Sequence, residues 1–116
     1  MSEFTIYHNP RCSKSRITLS LLEEKGVQPE IVLYLENPPN KKQIKQLLGW
    51  LGISAAELVR RGEGDYKLAG LDKNSSEEEL VTAMAAHPKL IERPIVVKGD
   101  RAVLGRPPEN VLELIG

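Results

Sequence analysis

The strongest constraint on the fold lies in the first thirty-five residues. Phe4 to Tyr7 read as a short strand, and Asn9 and Pro10 interrupt it. A helical stretch then begins near Ser13 and runs to Gly26, a natural helix stop. Glu30 to Leu35 follows with Ile31, Val32, Leu33 and Tyr34, a near-continuous apolar run typical of a strand buried on both faces of a parallel sheet. Strand, helix and strand in that order predict a right-handed βαβ unit.

The middle of the chain turns helical. After the breaker Asn37-Pro38-Pro39, Asn40 and Gln43 stand at capping-box spacing ahead of Ile44, Leu47, Leu48 and Leu51, which repeat at i, i+3, i+4 and i+7. Ser54 and Glu57 repeat the box, and the helix they open is expected to end at Gly62, in the turn-rich run Gly62-Glu63-Gly64-Asp65. That places Arg60 and Arg61 in its last turn. Ser76 and Glu79 open another helix that carries Leu80, Val81 and Met84 and should stop before Pro88.

From Pro94 the chain reads Pro-Ile-Val-Val-Lys, Gly99-Asp100, then Arg-Ala-Val-Leu-Gly, a hairpin whose two-residue turn has Gly first. A last helix is expected from Pro107 and Pro108, with Val111, Leu112 and Ile115. The whole order is that of an α/β chain with a thioredoxin-like fold, carrying a helical insertion between the N-terminal βαβ unit and the C-terminal β-hairpin plus helix. Fold alone does not give function.

Composition narrows the classes. With 116 residues, 41% of them apolar, the chain fits a single domain over 1–116. Sixteen basic residues balance sixteen acidic ones, so no global field draws the molecule to nucleic acid or to an anionic membrane. The N-terminus does not read as a secretory signal and no apolar run approaches a bilayer span, so the expected location is cytoplasmic. One cysteine and two histidines, His8 and His87, make no metal site and no internal disulfide, and no tightly bound cofactor is expected.

Cys12 is therefore either small buried packing or chemistry. It falls between a strand end and a helix start, where unpaired backbone N–H groups and the positive end of the helix favour a thiolate and can cradle a tetrahedral oxyanion. Arg11, Lys14 and Arg16 are nearby cations. A tyrosine-phosphatase loop needs Arg six residues after the nucleophile, where Thr18 stands; a dithiol oxidoreductase needs Cys three residues on, where Ser15 stands. Turnover would thus need an external thiol.

A turn at Gly99-Asp100 pairs Lys98 with Arg101, Ile95 with Leu104, and Arg93 with Arg106. Directly opposed side chains lie about 4.5–5.5 Å apart at Cβ, and like charges there repel unless something negative lies between them. Two arginine forks could hold an oxyanion; they could equally splay into solvent with Glu92 or Glu109 as partners. Arg60 and Arg61 have no assignment from spacing alone, and His8 alone reads as a strand-end histidine.

Ile-Tyr-His-Asn-Pro-Arg-Cys-Ser-Lys-Ser-Arg, Leu-Tyr-Leu-Glu-Asn-Pro-Pro and Glu-Arg-Pro-Ile-Val-Val together resemble the glutaredoxin-linked, glutathione-dependent arsenate reductases almost from end to end. The resemblance implies that Cys12 is the nucleophile, that Arg60, Arg93 and Arg106 contact the oxyanion, that His8 lies near the sulfur and tunes its ionisation, and that the peptide before Pro94 is cis. It implies reduction of arsenate through a covalent arseno-cysteine, with glutathione as co-substrate and glutaredoxin recycling the thiol. Two alternatives share the fold: a redox regulator that binds RNA polymerase, against which the missing second cysteine argues, and a monothiol oxidoreductase acting on glutathione mixed disulfides.

Overall fold

Strand β1 (Phe4–His8) alternates buried and half-buried residues, with Phe4, Ile6 and His8 turned inward. A computed structural model describes residues 3–115. β1 is central in a four-stranded sheet of order β2-β1-β3-β4. It pairs in parallel with β2 (Glu30–Leu33), Ile6 opposite Ile31, and antiparallel with β3 (Ile95–Lys98), Ile6 opposite Val96. β3 and β4 (Arg101–Leu104) form the hairpin with the expected register, Lys98 opposite Arg101 and Ile95 opposite Leu104. Gly99 has φ +63°, the left-handed value that a turn with Gly first demands. This is the expected thioredoxin-like arrangement, with helical residues inserted in sequence between the βαβ unit and the hairpin.

The chain divides into two compact units, the first built from residues 3–37 and 93–115 and the second from Pro38–Glu92. In the first, helix α1 (Ser13–Glu24) packs Leu22 against Phe4, Ile6, Val96, Val111 and Leu114, which form one apolar core. The C-terminal segment is a 3-10 turn, Pro108–Val111, running into a single α turn, rather than the continuous helix expected. Two prolines and the short remaining length favour the tighter winding.

The second unit is helical: α2 (Lys41–Leu51), α3 (Ala55–Leu58), α4 (Gly64–Leu68) and α5 (Glu77–Ala86), with α2 and α3 packed on α5. Asn40 and Gln43 close a reciprocal box at 2.8 and 2.9 Å, and Ser76 and Glu79 another at 2.8 and 3.1 Å. Among the described residues no helix is long and apolar enough to cross a membrane.

Three further expectations differ from the structure. β2 ends at Leu33 and is an edge strand, with Ile31 47% exposed, because only β1 flanks it; an apolar run alone does not distinguish a central strand from an edge. α3 ends at Leu58, not Gly62: Val59 goes extended and bridges to Ile91, with Glu92 N–H donating to the Leu58 carbonyl at 3.0 Å. Arg60 and Arg61 therefore lie beyond the helix. The run Gly62 to Asp65 is not all turn, since Gly64 and Asp65 begin α4.

Candidate active site

Cys12 is the N-cap residue of α1, with extended backbone angles. Its N–H donates to the Asn9 carbonyl at 3.0 Å and its carbonyl accepts from Arg16 N at 3.0 Å, the first helical bond. Its sulfur caps nothing. The residues before it wind a tight turn: Asn9 Oδ1 accepts from Arg11 N at 3.0 Å, and Arg16 Nη1 donates to the Pro10 carbonyl at 2.9 Å. Half-buried Cys12 is thus held at the helix start by backbone bonds on both sides, with its thiol left over for other use.

His8, the last residue of β1, is 6% exposed, and its Nδ1 is hydrogen bonded to Ser15 Oγ at 2.6 Å. Burial first, and the charge of Arg16 second, hold its pKa below the ordinary histidine value. Ser15 is fully buried and also accepts the Asn9 N–H at 3.1 Å. Three residues after the cysteine, where a dithiol enzyme carries its second thiol, this chain uses a hydroxyl to tie strand end to helix. From the sequence Ser15 stands only as a missing cysteine, and its spacing carries no signal that the hydroxyl is buried against the strand end. His8, Asn9, Pro10 and Arg11, with Leu33, Leu35 and Glu36, line a cleft of about 340 Å³.

Arg93 and Arg106 both belong to the first unit, but the paired ladder stops at Ile95 and Leu104, short of the directly opposed arginine pair expected. One further bond, Gly105 N–H to the Pro94 carbonyl at 2.9 Å, extends the hairpin. Each arginine then precedes a cis proline, Pro94 or Pro107; the first was implied by resemblance, the second was not. Proline supplies no N–H, which is why ladder bonding ends there. Two residues to which the sequence assigns no role shape this end of the hairpin. Asn110 Nδ2 donates to the carbonyls of Leu104 (3.1 Å) and Arg106 (3.3 Å), and Gly105 presses so closely on Thr18 and Pro94 that no side chain fits.

Arg60 lies in the second unit. Its N–H donates to the Leu90 carbonyl at 2.7 Å, and its guanidinium meets Glu63 at 3.1 Å and Glu92 at 3.6 Å. His87 stands 3.7 Å from Asp65 and is a surface contact of the same unit. Lys41 and Lys45 both meet Glu78, at 3.1 and 2.9 Å, in an exposed cluster of that unit.

Residues 7–114 match the ArsC family. A protein of Escherichia coli K12 named uncharacterized protein YfgD is 58% identical, covering 96% of this chain and 95% of its own. An arsenate reductase of Neisseria meningitidis is 48% identical over 96% of this chain and 97% of its own. The structure of an arsenate reductase from Vibrio cholerae superimposes with a TM-score of 0.91 at 50% identity, covering 95% of each chain. The matched span contains the cysteine turn, the inserted helices and both hairpin arginines, and on that breadth of agreement the chain belongs to the ArsC family.

Proposed function

We propose that this protein reduces arsenate to arsenite. The observation that carries the reading is Cys12 at the N-cap of a twelve-residue helix, its backbone satisfied and its sulfur uncommitted, in a chain 48–50% identical to proteins named arsenate reductase. Backbone N–H groups at a helix start have no intrahelical partner and are available to an oxyanion held beside the sulfur.

In the proposed reaction the Cys12 thiolate attacks arsenic(V), a sulfur–arsenic bond forms, and one oxygen leaves as water after protonation, giving a covalent arseno-cysteine. Glutathione displaces a second oxygen in the same way. A glutaredoxin thiolate then attacks the glutathione sulfur; the sulfur–arsenic electron pair stays on arsenic, which becomes arsenic(III), and a mixed disulfide departs on glutaredoxin. Hydrolysis releases arsenite and Cys12. The sum is one arsenate and two thiols to one arsenite, one disulfide and one water.

Arg93 and Arg106 are proposed to hold the oxyanion through their planar donor forks. Arg60 enters this scheme through sequence resemblance; in its own unit it is engaged by Glu63 and Glu92. A lone thiol without a resolving partner suits the reducing, glutathione-rich cytoplasm.

The test is NADPH oxidation coupled through glutathione, glutaredoxin and glutathione reductase, with and without arsenate. Wild type should show arsenate-dependent turnover and Cys12→Ser none. Arg93→Ala should lose about 10- to 150-fold in kcat/KM, the worth of a charge-assisted hydrogen bond of roughly 1.5–3 kcal/mol. Absence of arsenate dependence in the wild type overturns the substrate, and turnover on glutathione mixed disulfides instead would identify a monothiol oxidoreductase.

A further inference from the structure

We propose that Ser15 is a positioning residue that fixes the tautomer of His8, so that the neutral ring carries its proton on Nε2 and serves the cysteine site as a hydrogen-bond donor rather than as a base or a cation. A serine hydroxyl has one proton to give and lone pairs to accept with. At Ser15 one lone pair is taken by the Asn9 N–H at 3.1 Å, a donor whose direction the backbone fixes. The hydroxyl proton is fully buried and needs an acceptor. Among the described residues the one acceptor within reach is His8 Nδ1, at 2.6 Å.

Ser15 therefore donates to Nδ1, and a ring nitrogen that accepts a hydrogen bond cannot also carry a proton. The neutral imidazole must be the Nε2–H form. An imidazolium would fare worse, because it would turn Nδ1 into a second donor aimed at Ser15 and strand the hydroxyl proton in the interior. Burial and the Arg16 charge act in the same direction.

Nε2 has no protein partner among the described residues, and His8 lines the cleft beside Asn9, Pro10 and Arg11, which lead directly into Cys12. A neutral N–H there can stabilise an anionic oxygen or sulfur but cannot take a proton from one. The protons that convert departing arsenate oxygens to water must then come from solvent or the incoming thiols. This role in catalysis rests on the proposed arsenate chemistry; the tautomer does not.

The experiment is a long-range proton–nitrogen correlation spectrum of protein labelled with nitrogen-15 histidine at pH 7.5, with His87→Gln to assign the second ring. Wild-type His8 should show an unprotonated Nδ1 and a protonated Nε2. In Ser15→Ala the ring should become a mixture of tautomers, and in Ser15→Thr, which keeps the hydroxyl, it should return to the wild-type form. In the arsenate assay Ser15→Ala should lose at least threefold in kcat/KM, with recovery in Ser15→Thr. A wild-type ring protonated on Nδ1, or charged at pH 7.5, overturns the proposal without any variant having to fold. So does a Ser15→Ala ring identical to wild type, or a scrambled ring with unchanged kcat/KM. If the wild type shows no arsenate turnover, the spectra still decide the tautomer, so the two readings fail separately.

Discussion

Replacing Gly105 with alanine places a methyl group where three atoms already stand. The added Cβ would lie 2.7 Å from Pro94 Cγ, 2.7 Å from Thr18 Oγ1 and 3.1 Å from Thr18 Cγ2. Carbon atoms pack best at about 3.5–4.0 Å, so roughly an ångström must be found. Neither neighbour yields easily: Thr18 is fully buried with its hydroxyl donating to the Lys14 carbonyl at 2.8 Å, and the Pro94 carbonyl accepts the Gly105 N–H at 2.9 Å. Overpacking typically costs about 1–3 kcal/mol, and a clash on two sides belongs near the top, about 2–3 kcal/mol. For a chain of this size that lowers Tm by roughly 6–15 °C. Urea and thermal unfolding followed by circular dichroism would measure it beside two controls. Gly62→Ala meets nothing within 4 Å at an ordinary φ and should stay within about 0.5 kcal/mol of wild type. Gly52→Ala also meets open space, but at φ +70°, and should cost about 1 kcal/mol for backbone conformation alone. A Gly105→Ala cost no larger than that of Gly52→Ala would refute the close-packing argument.

Three other outcomes follow from the same geometry. Glu77 accepts the Ala55 N–H through both carboxylate oxygens, at 3.0 and 3.2 Å; Glu77→Ala should cost about 1–2 kcal/mol in urea unfolding and Glu77→Gln clearly less. His8 has a folded-state pKa below its ordinary value, so the unfolded chain binds the proton first as pH falls. Its contribution to stability is whole above about pH 6.5 and is lost as pH drops from there toward the folded-state pKa; the fall in urea midpoint between pH 7.5 and pH 5 should be smaller in His8→Gln than in wild type. In the proposed reaction Arg106→Lys keeps the charge but loses the planar fork, and kcat/KM for arsenate should fall about tenfold with little change in Tm; an unchanged kcat/KM would remove Arg106 from oxyanion binding.

Where local rules act alone, sequence and structure agree. The Asn40 and Ser76 boxes, the Gly99 turn and the register of Lys98 with Arg101 are each decided within a few residues. The disagreements come from partners far along the chain. Nothing near Val59 announces that it will leave the helix to bridge Ile91, and nothing in Ile31-Val32-Leu33 says that no strand will lie beyond it. At the site, Cys12 could be placed at its strand-to-helix turn because breaker and helix start are local signals. The use of Ser15 as a tie between His8 and Asn9, and the demand for glycine at 105, depend on contacts between strand, helix and hairpin that spacing does not encode.

The sheet's central pairing sets Phe4 against Lys98. During synthesis β1, α1 and β2 emerge first, but the strand that completes their sheet is made only after the whole inserted unit has passed. The residues from Pro38 to Glu92 are built from neighbouring helices and can gather early, whereas β1 must wait, and closing so long a loop carries a large entropic cost. The Cys12 thiol, carried on the turn directly after β1, is thus made well before the hairpin strands that finish its setting.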